Sequence, residues 1–526
     1  MMDNPAAPPR AVDDGDTSAV IADLRASIRA GDARAVAAFW QAMRERGTPI
    51  IEPVADAPDS VLVTFVYRSE TAQHVLVLKG LGDPRSTLLA RLPGTDVWAR
   101  SYRLPADARF EYSFAPDFPL TPPPLADLPK LRPHVHADPL NHRRVGLDQS
   151  LCVLPNAPPQ LWTEPASDVA AGEVQVHRVT SKRLGNQRRI YVYTPPGYER
   201  EGGPYPLVVL FDGVDYLSGI PTPTILDNLI AQKRVPPTIA LMIDPVDRVG
   251  ELGLGEAFTE IVAREIVPFV QRRYGATADP SAVVVGGFSA GGLEAVWSAF
   301  CYPEVFGNAL AQSDARFPRP DGEDVYEWVA RQVAAVPRKP IRFHLEDGRV
   351  EEANKPLAWA PFQCLRPVLS AKGYRVTVRT FRGGHHTMSW RGRLGDALAE
   401  LLQSARPQDA NPSAPTDDLT IEDLGPSVLA AVVRAAALGG ADAALRVFQE
   451  MGDSSADLDE PMLSALGLEL LYAAGQPRAA VAVLTESTRR FPSSANASNA
   501  LAEALYVAGD RAGAISLCRK ALDLDP

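Results

Sequence analysis

Val283-Val-Val-Gly-Gly287-Phe-Ser289-Ala-Gly291-Gly, followed by Leu293-Glu-Ala-Val-Trp-Ser-Ala-Phe300, is the stretch on which the fold turns. A β-branched run, a G-x-S-x-G and a helix-forming run read as strand, tight turn and helix. A serine at such a turn takes strained backbone angles, and glycines at the flanking positions let its Oγ project above the sheet. The helix that starts there turns free N–H groups toward any oxyanion that forms. The motif alone recurs by chance, and a glycine-rich helix start that only packs closely is the plainer alternative. Strand before and helix after make Ser289 the candidate nucleophile.

Working outward, apolar runs of strand length alternate with helical stretches from about Val174 onward. They are Ile190–Tyr193, Leu207–Phe211, Ile239–Ile243, Ala282–Val285, Ile341–Leu345 and Val376–Thr380. Such runs separated by helices predict a mainly parallel, doubly wound α/β sheet. In that fold class the order along the chain is serine, acid, histidine. The last strand leads into Phe381-Arg-Gly-Gly-His385-His386, and a histidine after two glycines suits a general base that must reach Oγ. The preceding strand leads into Glu346-Asp347-Gly348-Arg-Val-Glu351-Glu352, where a carboxylate should orient the imidazole. Spacing alone leaves these four acids level. The Ala290 N–H is the expected first oxyanion donor, and the second should come from Asp212-Gly213-Val214 after Leu207–Phe211.

Upstream, Ser18 to Arg46 reads as two short helices broken at Gly31-Asp32. Val61–Tyr67, Val75–Leu78, Trp98–Leu104 and Phe110–Phe114 then come at short intervals between turn residues and predict a small β-sandwich. A proline-dense crossing from Pro116 to Pro165 should be extended and unladdered, since each proline lacks an N–H. Downstream, Pro407 to Pro415 reads as a linker, and everything beyond it is helical. Gly475 and Gly509 lie 34 residues apart, as do Pro492 and Pro526. Ala480 and Ala514 each follow the glycine by five residues, and a weaker copy starts at Gly439 with Ala444 in register. That period resembles tetratricopeptide repeats. The domains expected are a leader (1–17), helices plus sandwich (18–165), a catalytic α/β domain (166–405), a linker (406–420) and helical repeats (421–526).

Composition narrows the function. The chain has 526 residues, 46% hydrophobic and 22% charged, with a net charge of −11. That is a globular composition, and the charge argues against nucleic acid as a partner. From Asp417 to Pro526 there are 16 acidic and 8 basic residues, leaving 45 basic and 48 acidic upstream. A basic pocket in the upstream part is compatible with this balance. No stretch reads as a spanning helix and the acidic amino terminus has no apolar leader, so no membrane partner and a cytoplasmic address are expected. Four scattered cysteines, Cys152, Cys301, Cys364 and Cys518, show no metal or disulfide spacing.

At these residues the sequence resembles the enterochelin (enterobactin) esterase family, hydrolases of iron(III)-siderophore trilactones. The resemblance runs from about Phe39 to Leu402. It is carried by FW (39–40), GTPIIEP (47–53), VTFVYR (63–68), LPGTDVWARSYRLP (92–105), DPLN (138–141) and LPNAPPQLW (154–162). In the catalytic part it is carried by LFDG (210–213), TPTILDNLIA (222–231), Arg248-x-x-Glu251-Leu252, GFSAGG (287–292), GGH (383–385) and WRG (390–392). The resemblance implies an α/β-hydrolase domain with Ser289 as nucleophile and His385 as base. It places the acid in G-x-x-E, here Gly348-Arg-Val-Glu351, which selects Glu351. By similarity to esterases with an LLDG loop it selects Val214 as the second oxyanion donor. It implies Arg248, Trp390 and Arg391 as substrate-binding residues, a ferric catecholate siderophore as substrate, and no cofactor or resident metal, the iron arriving with the substrate. A single arginine at position 248 is otherwise a plain salt bridge with Glu251. The chain departs from the family at Gln312-Ser-Asp314, where Q-S-G is usual, at His386, where Asp is frequent, and in its helical tail. The tail implies a protein partner or self-association through residues 421–526. Two other readings are open: a feruloyl or carbohydrate-ester esterase or acyltransferase with the same triad, and a non-catalytic adaptor acting through the repeats.

Overall fold

In the amino-terminal part, alternating runs become strands wherever turn residues bound them. β1 (Arg10–Ala11), β2 (Ile50–Pro53), β3 (Ser60–Arg68), β5 (Ala90–Arg91) and β6 (Val97–Pro105) form one antiparallel sheet, and β4 (Val75–Leu78), β7 (Arg109–Pro116) and β8 (Ser150–Val153) a second. Phe65, Tyr102, Phe110, Tyr112 and Phe114 fill the core that their strands share. Helices Ala19–Arg29 and Ala35–Arg46 pack Leu24, Phe39, Trp40 and Met43 against Ile50, Val66 and Val97. β8 corrects the expectation of an unladdered crossing, because Ser-Leu-Cys-Val contains no proline and pairs antiparallel with β7.

This computed structural model describes residues 10–11, 18–55, 57–78, 87–120, 134–145, 148–313, 328–348, 365–403, 419–452, 458–472 and 474–524. The chain divides into two compact units. The first takes residues 1–159, 348–360 and 380–389, and the second the remainder. The leader apart from Arg10–Ala11, which forms β1, most of the expected linker, Asp314, Glu351, Glu352 and Cys364 lie outside the described residues.

The second unit is built on a nine-stranded sheet. Its strands are β9 (Glu173–Ser181), β10 (Asn186–Thr194), β11 (Leu207–Phe211), β12 (Ile239–Ile243), β13 (Val283–Phe288), β14 (Asn308–Gln312), β15 (Arg342–Gly348), β16 (Arg375–Phe381) and β17 (Leu419–Pro426), in the order β16-β15-β14-β13-β11-β12-β10-β9-β17. β12, β11, β13, β14 and β15 run parallel, and β10, β9 and β17 extend the sheet with antiparallel pairs. Leu207 to Phe211 and Ile239 to Ile243 are wholly buried, as expected of strands covered on both faces. Three of the parallel strands that neighbour one another end in a non-glycine residue of positive φ. These are Asp212 (61°) after β11, Ser289 (52°) after β13 and Ser313 (50°) after β14. Strain of this kind costs on the order of 1–3 kcal/mol per residue and concentrates at functional sites.

Among the described residues the helical spans that follow are Val428–Gly452, which is kinked at Gly440, then Glu460–Tyr472, Pro477–Arg490, Ala495–Ala508 and Arg511–Leu524. Gly475 (φ 62°) and Gly509 (φ 94°) make the left-handed turns of the 34-residue period. Ala444, Ala480 and Ala514 are buried, the small residues that let helices cross closely. In the weaker copy the left-handed residue is Gly440 (φ 67°), one place after Gly439. By length and composition alone Val428–Met451 is long and apolar enough to cross a membrane, although Arg434, Asp442 and Arg446 interrupt its apolar run. Gly440 breaks that helix, and its Arg434 pairs with Asp227 at 3.2 Å. The repeat region also begins with a strand, since β17 occupies part of the expected linker and the first residues of the expected repeats.

Glu294, on the helix after the nucleophile turn, is fully buried, and its Oε1 accepts the Thr259 (2.6 Å) and Ser298 (3.1 Å) hydroxyls. Burial outweighs these bonds and pushes its pKa from 4.5 up to about 8. The folded-state value exceeds the unfolded one, so between these limits the native chain holds a proton that the unfolded chain releases. Stability therefore falls as pH rises from about 4.5 to about 8. Glu294→Gln should raise the melting temperature at pH 8 relative to the parent and leave it little changed at pH 4.5. Equal shifts at both pH values would count against the buried acid.

Candidate active site

The turn after β13 has the geometry its glycines anticipate. Ser289 takes φ 52° and ψ −123°, and helix Ala290–Cys301 begins at the next residue. A Cβ at Gly287 would lie 2.4 Å from the Gly291 carbonyl carbon and oxygen, and one at Gly291 would reach 3.3 Å from Asp212 Oδ2. Ser289's own N–H donates to the Gln312 carbonyl (2.9 Å), fastening the turn to β14. The Ala290 N–H is the first amide of its helix and belongs to the set with no acceptor inside it.

Beside it, Asp212 closes β11 and helix Gly213–Leu217 follows. The Asp212 carboxylate, 3% exposed, holds Arg248 in a two-point pair at 2.7 and 2.8 Å. Burial raises the Asp212 pKa against the pull of Arg248. Arg248 also lies 5.8 Å from the Phe288 ring centroid, and Phe288 stacks on Trp390 at 4.3 Å and 9°. Glu251 is not the partner of Arg248. It pairs with Arg188 instead, at 2.8 Å through both oxygens. Val214, expected to donate to the oxyanion, gives its N–H to Asp244 Oδ1 at 2.8 Å. Burial pushes Asp244 up to about 7. A carboxyl that takes a proton near neutrality is a weaker acceptor, and only by its release does Val214 become a free donor.

Gln312, at the end of β14, joins three elements. Its Nε2 donates to Glu346 Oε2 (2.8 Å) and the Trp390 carbonyl (3.2 Å), and its Oε1 accepts the Tyr216 hydroxyl (3.1 Å). Glu346, one of the four candidate acids, is wholly buried. Burial pushes its pKa up, but bonds from His344 and Gln312 and the charge of Arg393 outweigh this, and the net shift is downward. Glu346 is thus committed to holding β14, β15 and helix Thr387–Leu402 together. Trp390 is 4% exposed and donates to Ser313 Oγ at 3.0 Å. Arg391 has an 11% exposed side chain paired with Glu164 at 3.1 Å. Two of the three family-implied binding residues are therefore largely covered: Trp390 backs Phe288, and Arg391 is occupied by carboxylate.

His385 belongs to the first unit, where it is exposed on the Gly383-Gly384 loop. That loop is fastened to β7 and its neighbours. Arg109 donates its N–H to the Arg382 carbonyl (3.0 Å), and Asp107 pairs with Arg382 (2.8 Å). The next residue supplies an element that sequence reading missed. His386 is buried, with Nδ1 3.1 Å from the Ser389 N–H and 3.3 Å from Oε1 of Glu111, itself buried on β7. Nδ1 accepts from Ser389 when unprotonated, capping helix Thr387–Leu402, and donates to Glu111 when protonated. The cue in the sequence was Glu111 itself, an acid in the apolar run Phe110–Phe114.

Comparison with known proteins agrees with this architecture. Residues 62–163 match the amino-terminal domain of enterochelin esterase, residues 181–401 a putative esterase family, and residues 468–526 a tetratricopeptide repeat family. The iron(III) enterobactin esterase of Dickeya dadantii is 31% identical over 436 residues, 75% of this chain and 98% of that protein. The iron(III) salmochelin esterase of Escherichia coli O6:H1 is 28% identical, over 73% of this chain and 97% of its own length. The enterobactin esterase of Shigella flexneri, crystallised in the presence of enterobactin, superposes with a TM-score of 0.56 at 28% identity. That likeness covers 69% of this chain and 97% of that one. The 31% identity over three quarters of this chain, together with the amino-terminal β domain and the α/β esterase domain with its mostly parallel sheet, shows that this chain belongs to the enterochelin esterase family, and the helical repeat tail is added to it.

Proposed function

We propose that the chain is a serine esterase that hydrolyses the ester bonds of a ferric catecholate trilactone siderophore and so releases its iron. The supporting observation is the strained Ser289 turn, seated in a chain of this family between two further strained strand ends. Ser289 Oγ attacks the ester carbonyl while His385 takes its proton, and Glu351 steadies the imidazolium. The Ala290 N–H holds the oxyanion, joined by Val214 once Asp244 releases it. His385 then returns the proton to the departing alkoxide, and water hydrolyses the acyl-enzyme by the same route. The iron is cargo of the substrate and takes no part in these steps. Arg248, 43% exposed, is the cation proposed to meet the catecholate.

The test is incubation with ferric and iron-free enterobactin, with linear trimer, dimer and monomer followed by mass and Ser289→Ala as control. Hydrolysis by the parent alone supports the proposal. Activity on a simple aryl ester with none on either trilactone keeps the serine chemistry and removes the siderophore. No turnover of any ester brings the adaptor reading forward.

A second expectation concerns how the base is held. If the Glu111–His386 pair fixes the His385 loop, Glu111→Gln should lower kcat about ten- to a hundredfold, since small misplacements of a reacting group cost that much. KM should stay within about twofold, because neither Glu111 nor His386 is among the residues proposed to meet the substrate. Unchanged kcat would show that the loop keeps its place without the pair.

A further inference from the structure

β13, β14 and β15 run parallel, so their first residues share one edge of the sheet, while Ser289, Gln312 and Glu346 lie toward the other. At the first edge is a cavity of about 470 Å³, a size that suits a small-molecule ligand. Arg338, Lys339, Arg342 and Arg375 line it, and its lining residues include no aspartate or glutamate. β14, five residues long, puts about 13 Å of strand between the two edges. A ligand held here is therefore separate from an ester at the Ser289 turn.

The cations are held in place by their surroundings. Asn308, 2% exposed, gives its amide hydrogens to the Ser281 and Val283 carbonyls, each at 3.0 Å. That fixes its Oδ1 as the acceptor of Arg342 Nε at 2.8 Å, and Arg342 Nη2 donates to the Leu401 carbonyl at 2.5 Å. The half-buried guanidinium is thus clamped on two sides, and no described residue accepts a hydrogen bond from its Nη1. Lys339 lies 4.1 Å from the Phe300 ring centroid and donates to the Phe300 carbonyl at 2.5 Å, which leaves it further N–H groups. Arg338 is tied to the Gly373 carbonyl at 2.6 Å. Arg375, exposed at the start of β16, has no hydrogen-bond or ion-pair partner for its side chain among the described residues. Two acids of the neighbourhood are occupied. Glu400 accepts Thr377 (2.5 Å) and Arg379 (3.0 Å), and Asp279 accepts the Ser281 N–H (2.9 Å).

We propose that this cavity binds a phosphorylated small molecule, its phosphoryl oxygens taken by Arg342 and Arg375 with Lys339 and Arg338 beside them. The donors come from two strand starts and from the segment between helix Trp328–Ala335 and β15. A carboxylate presents two oxygens in one plane, which a single arginine fork satisfies. A phosphoryl group presents acceptors on all sides and suits donors that arrive from several directions. Lys339 adds a compact point charge of the kind that phosphate sites use. Burial, and after it the charge of Arg375, lower the Arg342 pKa, with Glu400 opposing. The two guanidiniums repel each other, and an anion shared between them relieves that repulsion.

The experiment is titration calorimetry of the full chain with inorganic diphosphate at about 0.15 M salt, where diffuse surface attraction is screened. One diphosphate per chain is expected, with Kd below about 1 mM. Arg375→Gln and Lys339→Gln should each weaken binding about tenfold, the loss of one charge-assisted hydrogen bond. Arg25→Gln removes an exposed cation from helix Ala19–Arg29 and should leave the affinity within about twofold. Arg342→Gln also breaks the tie to Asn308, so the exposed Arg375 decides the matter. No binding by the parent overturns the proposal, as does unchanged affinity in Arg375→Gln that melts at the parent temperature. An equal loss in Arg25→Gln reduces the effect to net charge and overturns it too. Arg248→Gln should bind diphosphate as the parent does, and a loss confined to that variant moves the anion to Asp212 and overturns the cavity. Citrate, similar in charge but carboxylate only, should bind about fivefold more weakly. Equal affinity for citrate overturns the phosphoryl assignment.

Discussion

Ser289→Ala is expected to lower kcat for ester hydrolysis by about 10⁴- to 10⁶-fold, the range that follows loss of the nucleophile in a serine–histidine system. The loss is large because no other group can form the acyl-enzyme, and the histidine then has no hydroxyl to deprotonate. The turn itself should survive. Its strain is held by the Gln312 carbonyl on the Ser289 N–H and by the close approach of Gly287 to Gly291. Alanine at φ 52° is no more strained than serine, so the melting temperature should move by no more than about 2 °C. Loss of activity with the fold intact assigns the chemistry to Oγ. A loss accompanied by a large drop in melting temperature would return Ser289 to a packing role, and retained activity would exclude it as nucleophile.

Glu251→Ala is expected to cost about 3–5 kcal/mol of stability, the typical price of leaving one buried charge without its partner. Arg188 and Glu251 have side chains only 1% and 8% exposed. Glu251 also accepts the Val246 N–H (2.9 Å) and the Asn186 amide (3.3 Å), while Arg188 lies 4.9 Å from the Phe258 ring centroid. Removing the carboxylate leaves the guanidinium with Asn186 and the ring face alone. Replacing both, as Arg188→Met with Glu251→Leu, should cost less than either single change, because no charge is then stranded. Urea unfolding of Glu251→Ala, of each single change and of the double decides it. A loss below about 1 kcal/mol for Glu251→Ala would mean that water reaches the guanidinium. Helix Arg248–Leu252 contains Glu251 and presents Arg248 to Asp212, so kcat/KM for anionic esters should fall in the same variant.

What could be read from the residues is what local chemistry decides. Leu207–Phe211 and Ile239–Ile243 are continuous apolar runs, and the structure has strands with those same bounds. The nucleophile turn was legible because glycines at 287 and 291 are sterically required. The tail's period was legible because its glycines and alanines serve turns and crossings that repeat. Asn308-Ala-Leu-Ala-Gln312 went unread as a strand because it has no β-branched or aromatic residue, and its place is set by pairing with β13 and β15. β17 was read as linker and repeat because Leu-Thr-Ile-Glu-Asp-Leu-Gly-Pro puts charges where a central strand has none. Pairs far apart in sequence were out of reach altogether. Nothing local to Arg248 prefers Asp212 over Glu251, and nothing near His386 points to Glu111.

β17 also bears on how such a chain tolerates being shortened. Its partner β9 is a nine-residue strand whose other side is taken by β10. Cut the chain before Leu419 and β9 becomes an open border of N–H and C=O groups, a template for pairing with any extended chain. The junction between enzyme and repeats thus doubles as the seal on the sheet. A shortened protein meant to keep the esterase soluble should end after Pro426.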